Sequence, residues 1–264
     1  MHLVKGNIFD IKKLLRNLST DIDVVFHEAA IASVEISVNN PTRVFETNVR
    51  STMKVIDFCL NSKVKKFIFA SSSGVDGDSK GQVLKEDMRC KPISPYSASK
   101  IAVENYLDAY YQTFGFDFTS LRYFNVYGPR QSNNEYSGVI TIFMDKILKN
   151  RSPVIFGNGL QSRDFVNVKD IVRANMLAMR SKNAVGEIMN IGTGKSLSIL
   201  NLIDIIKRIL GKKKIKPKFM KERTGDIRHS LSSIEKARKL IGYNPTIDIK
   251  NGLDDYIQHL VSQN

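Results

Sequence analysis

The chain has 264 residues, 42% of them apolar, and its 40 Lys and Arg outnumber 26 Asp and Glu for a net charge of +14. That length buries a full core as one domain, or as one domain with a subdomain. No run of about 18 apolar residues is present to span a bilayer, and Met1-His2-Leu3-Val4-Lys5-Gly6-Asn7 has no basic segment leading into an apolar stretch, so no membrane partner and a cytoplasmic location are expected. Cys59 and Cys90 have neither metal-ligand spacing nor a disulfide framework, which suits a reducing compartment; no metal is expected. Part of the positive excess gathers in Lys207-Arg208 and from Lys212-Lys213-Lys214 to Lys221 and Arg223. Without a recognition helix it reads as a solvated basic surface, or as attraction for a dianionic nucleotide-sugar, rather than as a nucleic-acid interface.

In chain order, Ile22-Asp23-Val24-Val25-Phe26 reads as a strand, residues 41–60 as a helix opened by Pro41, and Lys66-Phe67-Ile68-Phe69-Ala70 as a strand. Residues 95–114 follow as a helix and 116–123 as a strand. This alternation predicts an α/β fold with a parallel sheet covered on both faces. A loop is expected from Gly128-Pro129-Arg130 to Ser137, then helices near 139–149, 168–180 and 199–210 with short strands at 154–156 and 215–219. A smaller C-terminal subdomain is the consequence.

The chemistry rests on one pair. Pro95 suits the first turn of a helix, where its missing N–H costs nothing, so Tyr96 and Lys100 at i and i+4 face the same side. An ammonium beside a phenol, with a hydroxyl in reach, can take the proton from a secondary alcohol that is losing hydride. Moving the phenol from its reference pKa near 10 toward neutrality takes about 3 units, roughly 4 kcal/mol, for which the ammonium and a nicotinamide cation are the expected sources. Ser72, in the Ser71-Ser72-Ser73 cluster at the carboxyl end of a predicted parallel strand, is placed to bond the same oxygen. The pair alone is weak, since nine tyrosines in a lysine-rich chain produce this spacing by chance. Its conjunction with the serine cluster and Pro95 gives it weight.

Seven motifs occur in order: His27-Glu28-Ala29-Ala30; Asn39-Asn40-Pro41 with Glu46-Thr47-Asn48; Phe69-Ala70-Ser71-Ser72-Ser73; Pro95-Tyr96-Ser97-Ala98-Ser99-Lys100; Arg122-Tyr123-Phe124-Asn125-Val126-Tyr127-Gly128-Pro129-Arg130; Arg163-Asp164-Phe165; and Arg223-Thr224-Gly225-Asp226. Together they resemble the extended short-chain dehydrogenases/reductases, within them the NAD-dependent epimerase/dehydratase family, and there the UDP-glucose 4-epimerase-like proteins. The likeness runs from the end of what would be the family's third strand to the C-terminus. It implies a Rossmann-type doubly wound parallel sheet, N-terminally truncated, with a smaller C-terminal α/β substrate subdomain. Residues 1–130 would form the incomplete NAD-binding domain and 131–264 mainly the substrate subdomain, about 160–200 returning to the first.

The resemblance further implies NAD as a retained cofactor and a UDP-hexose inverted at C4 through a transient 4-keto sugar, with Tyr96 removing the O4 proton. Ser72 aligns with the catalytic hydroxyl, Ser73 being the fallback if the register slips. Lys100 would bridge the nicotinamide ribose hydroxyls, Ala29, Ala30 and Asn48 would line the cofactor channel with Tyr123 beside them, and Asn7 and Ile8 fall where the family has Asp-Ile next to adenine. Asn125 matches the residue that binds the diphosphate-sugar, Arg163 and Arg223 the arginines that clamp it, and Asp226 a residue near the uridine ribose. Two guanidiniums on a diphosphate make charge-assisted, often bidentate bonds. A homodimer through a four-helix bundle, with 41–60 and 95–114 as each subunit's helices, is also implied.

Three departures matter. The dehydratases of the family carry an Asp-Glu pair where this chain has Ser73 and Gly74, so the acid and base for eliminating water are missing and epimerisation is the favoured reaction. Asp76 replaces the aromatic of the family's Val-Tyr-Gly, which is expected to change the sugar-side wall. The glycine-rich turn that holds the NAD pyrophosphate is absent, Gly6 being the only glycine before Gly74. The expected explanation is a start codon assigned too far downstream. A strand at His2-Leu3-Val4 and the strand ending at Phe26 would then expose unpaired edges. An inactive or NAD-deficient homologue that binds nucleotide-sugar, or another dehydratase or reductase of the family, stays open on sequence grounds.

Overall fold

The computed structural model describes residues 3–15, 22–131, 138–222 and 227–262. A 3-10 turn at Ile8–Asp10 leads into α1 (Ile11–Leu14), followed by β1 (Val24–His27), α2 (Val34–Asn39), α3 (Pro41–Phe45), α4 (Ser51–Asn61), β2 (Lys66–Ser72), α5 (Pro95–Phe114), β3 (Phe118–Tyr123) and β4 (Asn125–Tyr127). Then come α6 (Val139–Leu148), β5 (Val154–Phe156), β6 (Ser162–Arg163), β7 (Phe165–Asn167), α7 (Val168–Arg180), β8 (Glu187–Ile191), β9 (Leu197–Ser198), α8 (Ile199–Ile209), β10 (Lys218–Met220), α9 (Glu235–Ile241) and α10 (Ile249–Ser262).

The main sheet is wholly parallel in the order β1-β2-β3-β8, with Phe26 opposite Ile68, Ile68 opposite Thr119 and Leu121 opposite Met189. Its central strand β2 is buried from Lys66 to Ser71, as a strand covered on both faces must be. On one face Phe67, Phe69 and Phe118 pack with Val55, Ile56 and Cys59 of α4 and Val103 and Leu107 of α5. On the other, Ile68, Leu121 and Met189 meet Ile171, Ala174 and Ala178 of α7 and Ala237 and Ile241 of α9. Helices on both faces make the sheet doubly wound. A third cluster joins α6, α8 and α10 through Phe143, Met144, Leu202, Ile206, Leu253 and Tyr256.

The expected bounds 95–114, 154–156 and 168–180 coincide with α5, β5 and α7. Elsewhere the structure corrects the reading. The single helix expected over 41–60 is interrupted by a π-helical turn at Glu46–Arg50, where the Ser51 N–H reaches back to the Glu46 carbonyl and the Thr52 hydroxyl donates to the Asn48 carbonyl at 2.7 Å. The strand expected over 215–219 begins only at Lys218, because Pro217 has no N–H for a ladder. Leu3 and Val4 form no strand, and among the described residues the outer edge of β1 stays unpaired. The loop expected to Ser137 lies largely outside the described residues.

Candidate active site

The carboxyl end of β2, the start of β4 and the first turn of α5 open onto a cavity of about 680 Å³. Ser72, Tyr96, Asn125 and Arg163 all line it, so four of the residues expected to act on one ligand meet in one cavity; Ser73 is there too. Ser94 caps α5 by accepting the Ser97 N–H at 3.2 Å, and Pro95 takes the first helical position, which fixes the direction in which Tyr96 leaves the helix. Ser72 accepts the Gly74 N–H at 3.1 Å, and its hydroxyl stands near enough to the Tyr96 phenol to favour the phenolate.

Lys100 is 4% exposed, with Nζ donating to the Ala70 carbonyl at 2.6 Å and lying 5.9 Å from the Tyr96 ring centre. Burial pushes the Tyr96 phenol above its usual pKa, while the Ser72 hydroxyl works in the opposite direction. Thus the phenol stands above 10, not below it, and the ammonium alone does not activate it: the expected lowering needs a further cation at the phenol. Burial also holds Lys100 down at about 8, against the pull of Glu28 and Glu104.

A base whose pKa falls on folding carries a contribution to stability that is complete above its unfolded pKa near 10.5 and is lost as the pH drops through about 8. At pH 7 the charged form therefore costs the fold on the order of 3 kcal/mol, part of which the bond to Ala70 returns. Lys100→Met is expected to stabilise the protein by about 1–2 kcal/mol at pH 7 while impairing turnover, with the gain shrinking toward pH 10. Denaturant melts at the two pH values check this.

Behind the pair lies an ion network that the sequence reading missed. Glu104, one turn beyond Lys100 and 1% exposed, accepts from Arg122 Nη2 at 2.8 Å and Nε at 3.1 Å, and from the Ser71 hydroxyl at 2.5 Å. Arg122, 2% exposed, also reaches Asp76 at 3.0 Å and the Cys90 Sγ at 3.2 Å. The network ties α5 to the end of β2 beside Ser72. It also corrects the expectation for Asp76, which is buried against Arg122 and lines no part of the cavity; desolvation outweighs the guanidinium and raises its carboxyl to about 6.

Gly74 is confined as well. A Cβ there would stand 2.7 Å from the Ser97 Oγ and 3.3 Å from the Ser72 Oγ, so an acidic side chain at this position would displace the hydroxyls that orient Tyr96.

The remaining expected residues divide by place. Asn125 lines the cavity and donates to the Asp164 carbonyl at 3.3 Å. Arg163 Nη1 donates to the Ser162 carbonyl at 3.0 Å, and its strand is anchored by Asp164, a fully buried carboxylate that receives Thr193, Gly194 and Ser232. Asn48 is buried, and its amide accepts the Ile31 N–H at 2.8 Å and donates to the Ile31 carbonyl and the Ser99 hydroxyl, each at 3.0 Å. Those bonds hold the loop carrying Ala29 and Ala30, which leaves Ala29 exposed at the end of β1. Tyr123 donates to Glu28 at 2.9 Å and accepts from Asn175 at 2.7 Å. Asn7 accepts the Phe9 N–H and Ile8 packs toward the α4 side of the sheet, neither near the cavity. Arg223 and Asp226 lie outside the described residues. The cavity also takes in Glu35, Ser94, Ser97 and Gln161, none of them anticipated. Glu35 was hidden because α2 is too short for a helical period.

Among the described residues no cluster of His, Cys, Asp and Glu could hold a metal, both cysteines are free thiols, and no helix is long and apolar enough to cross a membrane.

A family model described as the NAD dependent epimerase/dehydratase family matches residues 1–192. A putative UDP-glucose 4-epimerase of Methanocaldococcus jannaschii is 40% identical over 245 residues, 92% of this chain and 79% of the relative. The UDP-N-acetylglucosamine 4-epimerase of Methanobrevibacter ruminantium M1, solved with UDP-N-acetylmuramic acid, is 40% identical with a TM-score of 0.92 over 99% of this chain and 83% of its own. The UDP-glucuronic acid 4-epimerase of Bacillus cereus, solved with UDP-glucuronic acid and NAD, is 32% identical with a TM-score of 0.90, covering 98% and 81%. With the parallel sheet, the Tyr96 and Lys100 pair and the Ser72 strand end in place, the chain belongs to the NAD-dependent epimerase/dehydratase family.

Proposed function

We propose that this protein is an NAD-dependent UDP-sugar 4-epimerase. One observation carries the reading: Ser72, Tyr96 and Arg163 line a single cavity, so a proton-transfer pair and an anion clamp address one ligand. Bound NAD supplies a reversible hydride acceptor at C4. Ser72 orients the O4 hydroxyl, Tyr96 takes its proton as the 4-keto sugar forms and returns it on the way back, and the wall lets the keto sugar present its other face. Lys100, with the small residues Ala29 and Ala30 at the neighbouring strand end, fits the nicotinamide ribose; Asn125 and Arg163 hold the diphosphate. The absence of an acidic side chain at Gly74 speaks for epimerisation over dehydration, since elimination needs a second acid.

Assembly as a homodimer fits the exposed aromatics of the two helices named for it, Phe45 at 53% and Tyr106 at 49%. A cytoplasmic site of action agrees with both thiols being free.

The test is to incubate the protein with NAD and UDP-glucose and follow the sugar by proton NMR. Equilibration with UDP-galactose without net NADH supports the reading. A 4-keto-6-deoxy product would make the protein a dehydratase, and tight UDP-glucose binding with no product at all would make it a binding homologue.

A further inference from the structure

The relatives are named for sugars that differ in charge at C6, UDP-glucose among them and UDP-glucuronic acid. Only two lining residues among those described bear a formal charge, Arg163 and Glu35. They come from different elements. Arg163 sits on β6, paired with β9 and next to the 228–229 segment, whereas Glu35 belongs to α2, which packs on α5, the helix whose first turn carries Tyr96.

The O4 of a reacting sugar must lie at Tyr96 and Ser72. C6 hangs on C5, the neighbour of C4, so its substituent cannot leave this end of the cavity. Of the lining residues, those of α2 and of the Ser72 to Gly74 turn come from segments that pack on α5. Of the hydroxyls here, the Ser94 and Ser97 Oγ atoms bond each other at 3.0 Å and Ser72 accepts the Gly74 N–H, which leaves Ser73 as a neutral group and no cation beside them on the lining. Lys100, the nearest cation, is buried behind Tyr96 on the Ala70 carbonyl.

Resting on the epimerase reading, we infer that Glu35 sets substrate choice: the protein takes UDP-hexoses whose C5 substituent is neutral and rejects hexuronates. A hydroxymethyl group donates to the Glu35 carboxylate. A C6 carboxylate meets a like charge instead, and because Glu35 is solvent-exposed, screening holds the penalty near a factor of about ten.

Equilibrium binding of UDP, UDP-glucose and UDP-glucuronate, with turnover of both sugars measured alongside, tests this on the parent and on Glu35→Gln and Glu35→Lys. UDP-glucose is expected to bind at least about tenfold more tightly than UDP-glucuronate. Glu35→Gln should shrink that ratio, Glu35→Lys should bring it to one or invert it, and UDP affinity should stay unchanged in both. A parent that binds the uronate equally or better, or a ratio that neither variant moves, overturns the inference while leaving epimerisation intact. If UDP and both sugars fail to bind, the epimerase reading falls and the inference with it.

Discussion

Tyr96→Phe is expected to lower epimerisation of UDP-glucose by about two to four orders of magnitude while leaving UDP-glucose affinity within a few fold. The variant removes one oxygen and keeps the ring, so the wall of the cavity and the cap of α5 at Ser94 are retained. What disappears is the atom that stands near Ser72 and can carry the O4 proton. Single-turnover rates and equilibrium binding on the same preparation separate the two effects. A loss in KM alone would reduce Tyr96 to a substrate contact. Because burial holds the phenol above 10, turnover in the parent should rise from pH 6 to pH 9 as less work is needed to deprotonate it; Tyr96→Phe should show no such rise.

The second large effect is on the fold. Arg122→Leu is expected to cost about 3–5 kcal/mol, because it strands the Glu104 carboxylate at 1% exposure without the guanidinium that accounts for three of its close contacts. For a domain of this size that lowers the melting temperature by roughly 6–20 °C. The double variant Arg122→Leu/Glu104→Leu should lose less than the sum of the two single losses, since removing both charges abolishes the stranded one. If the single and double effects simply add, the network contributes packing and not charge pairing. Thermal melts of the three variants decide. The strand end carrying Ser72 is held by the same carboxylate through Ser71, so Arg122→Leu should also slow turnover at temperatures well below its melt.

How far the chain could be read without its structure depended on what each signal was made of. The β2 run Lys66-Phe67-Ile68-Phe69-Ala70 and the Pro95 start of α5 are local signals, and both elements lie where expected. Ser72, Tyr96, Asn125 and Arg163 could be proposed from motif likeness, but composition and spacing do not say that they share a cavity; the strand order does. Asn48 shows what a motif leaves open: its bonds to Ile31 and Ser99 come from a π-helical turn that has no periodic signature. Asp76 shows it again. Its partner Arg122 is 46 positions away, and only the pairing of β2 with β3 brings their segments together. Glu35, on a six-residue helix, offered no pattern at all.

The tight space at Gly74 bears on how this reaction type can change. Elimination chemistry would need an acid at that position, and even one added carbon would press on the Ser97 Oγ, which would have to rotate away from Ser94. Gaining the acid is therefore coupled to moving a hydroxyl in the first turn of the helix that carries Tyr96.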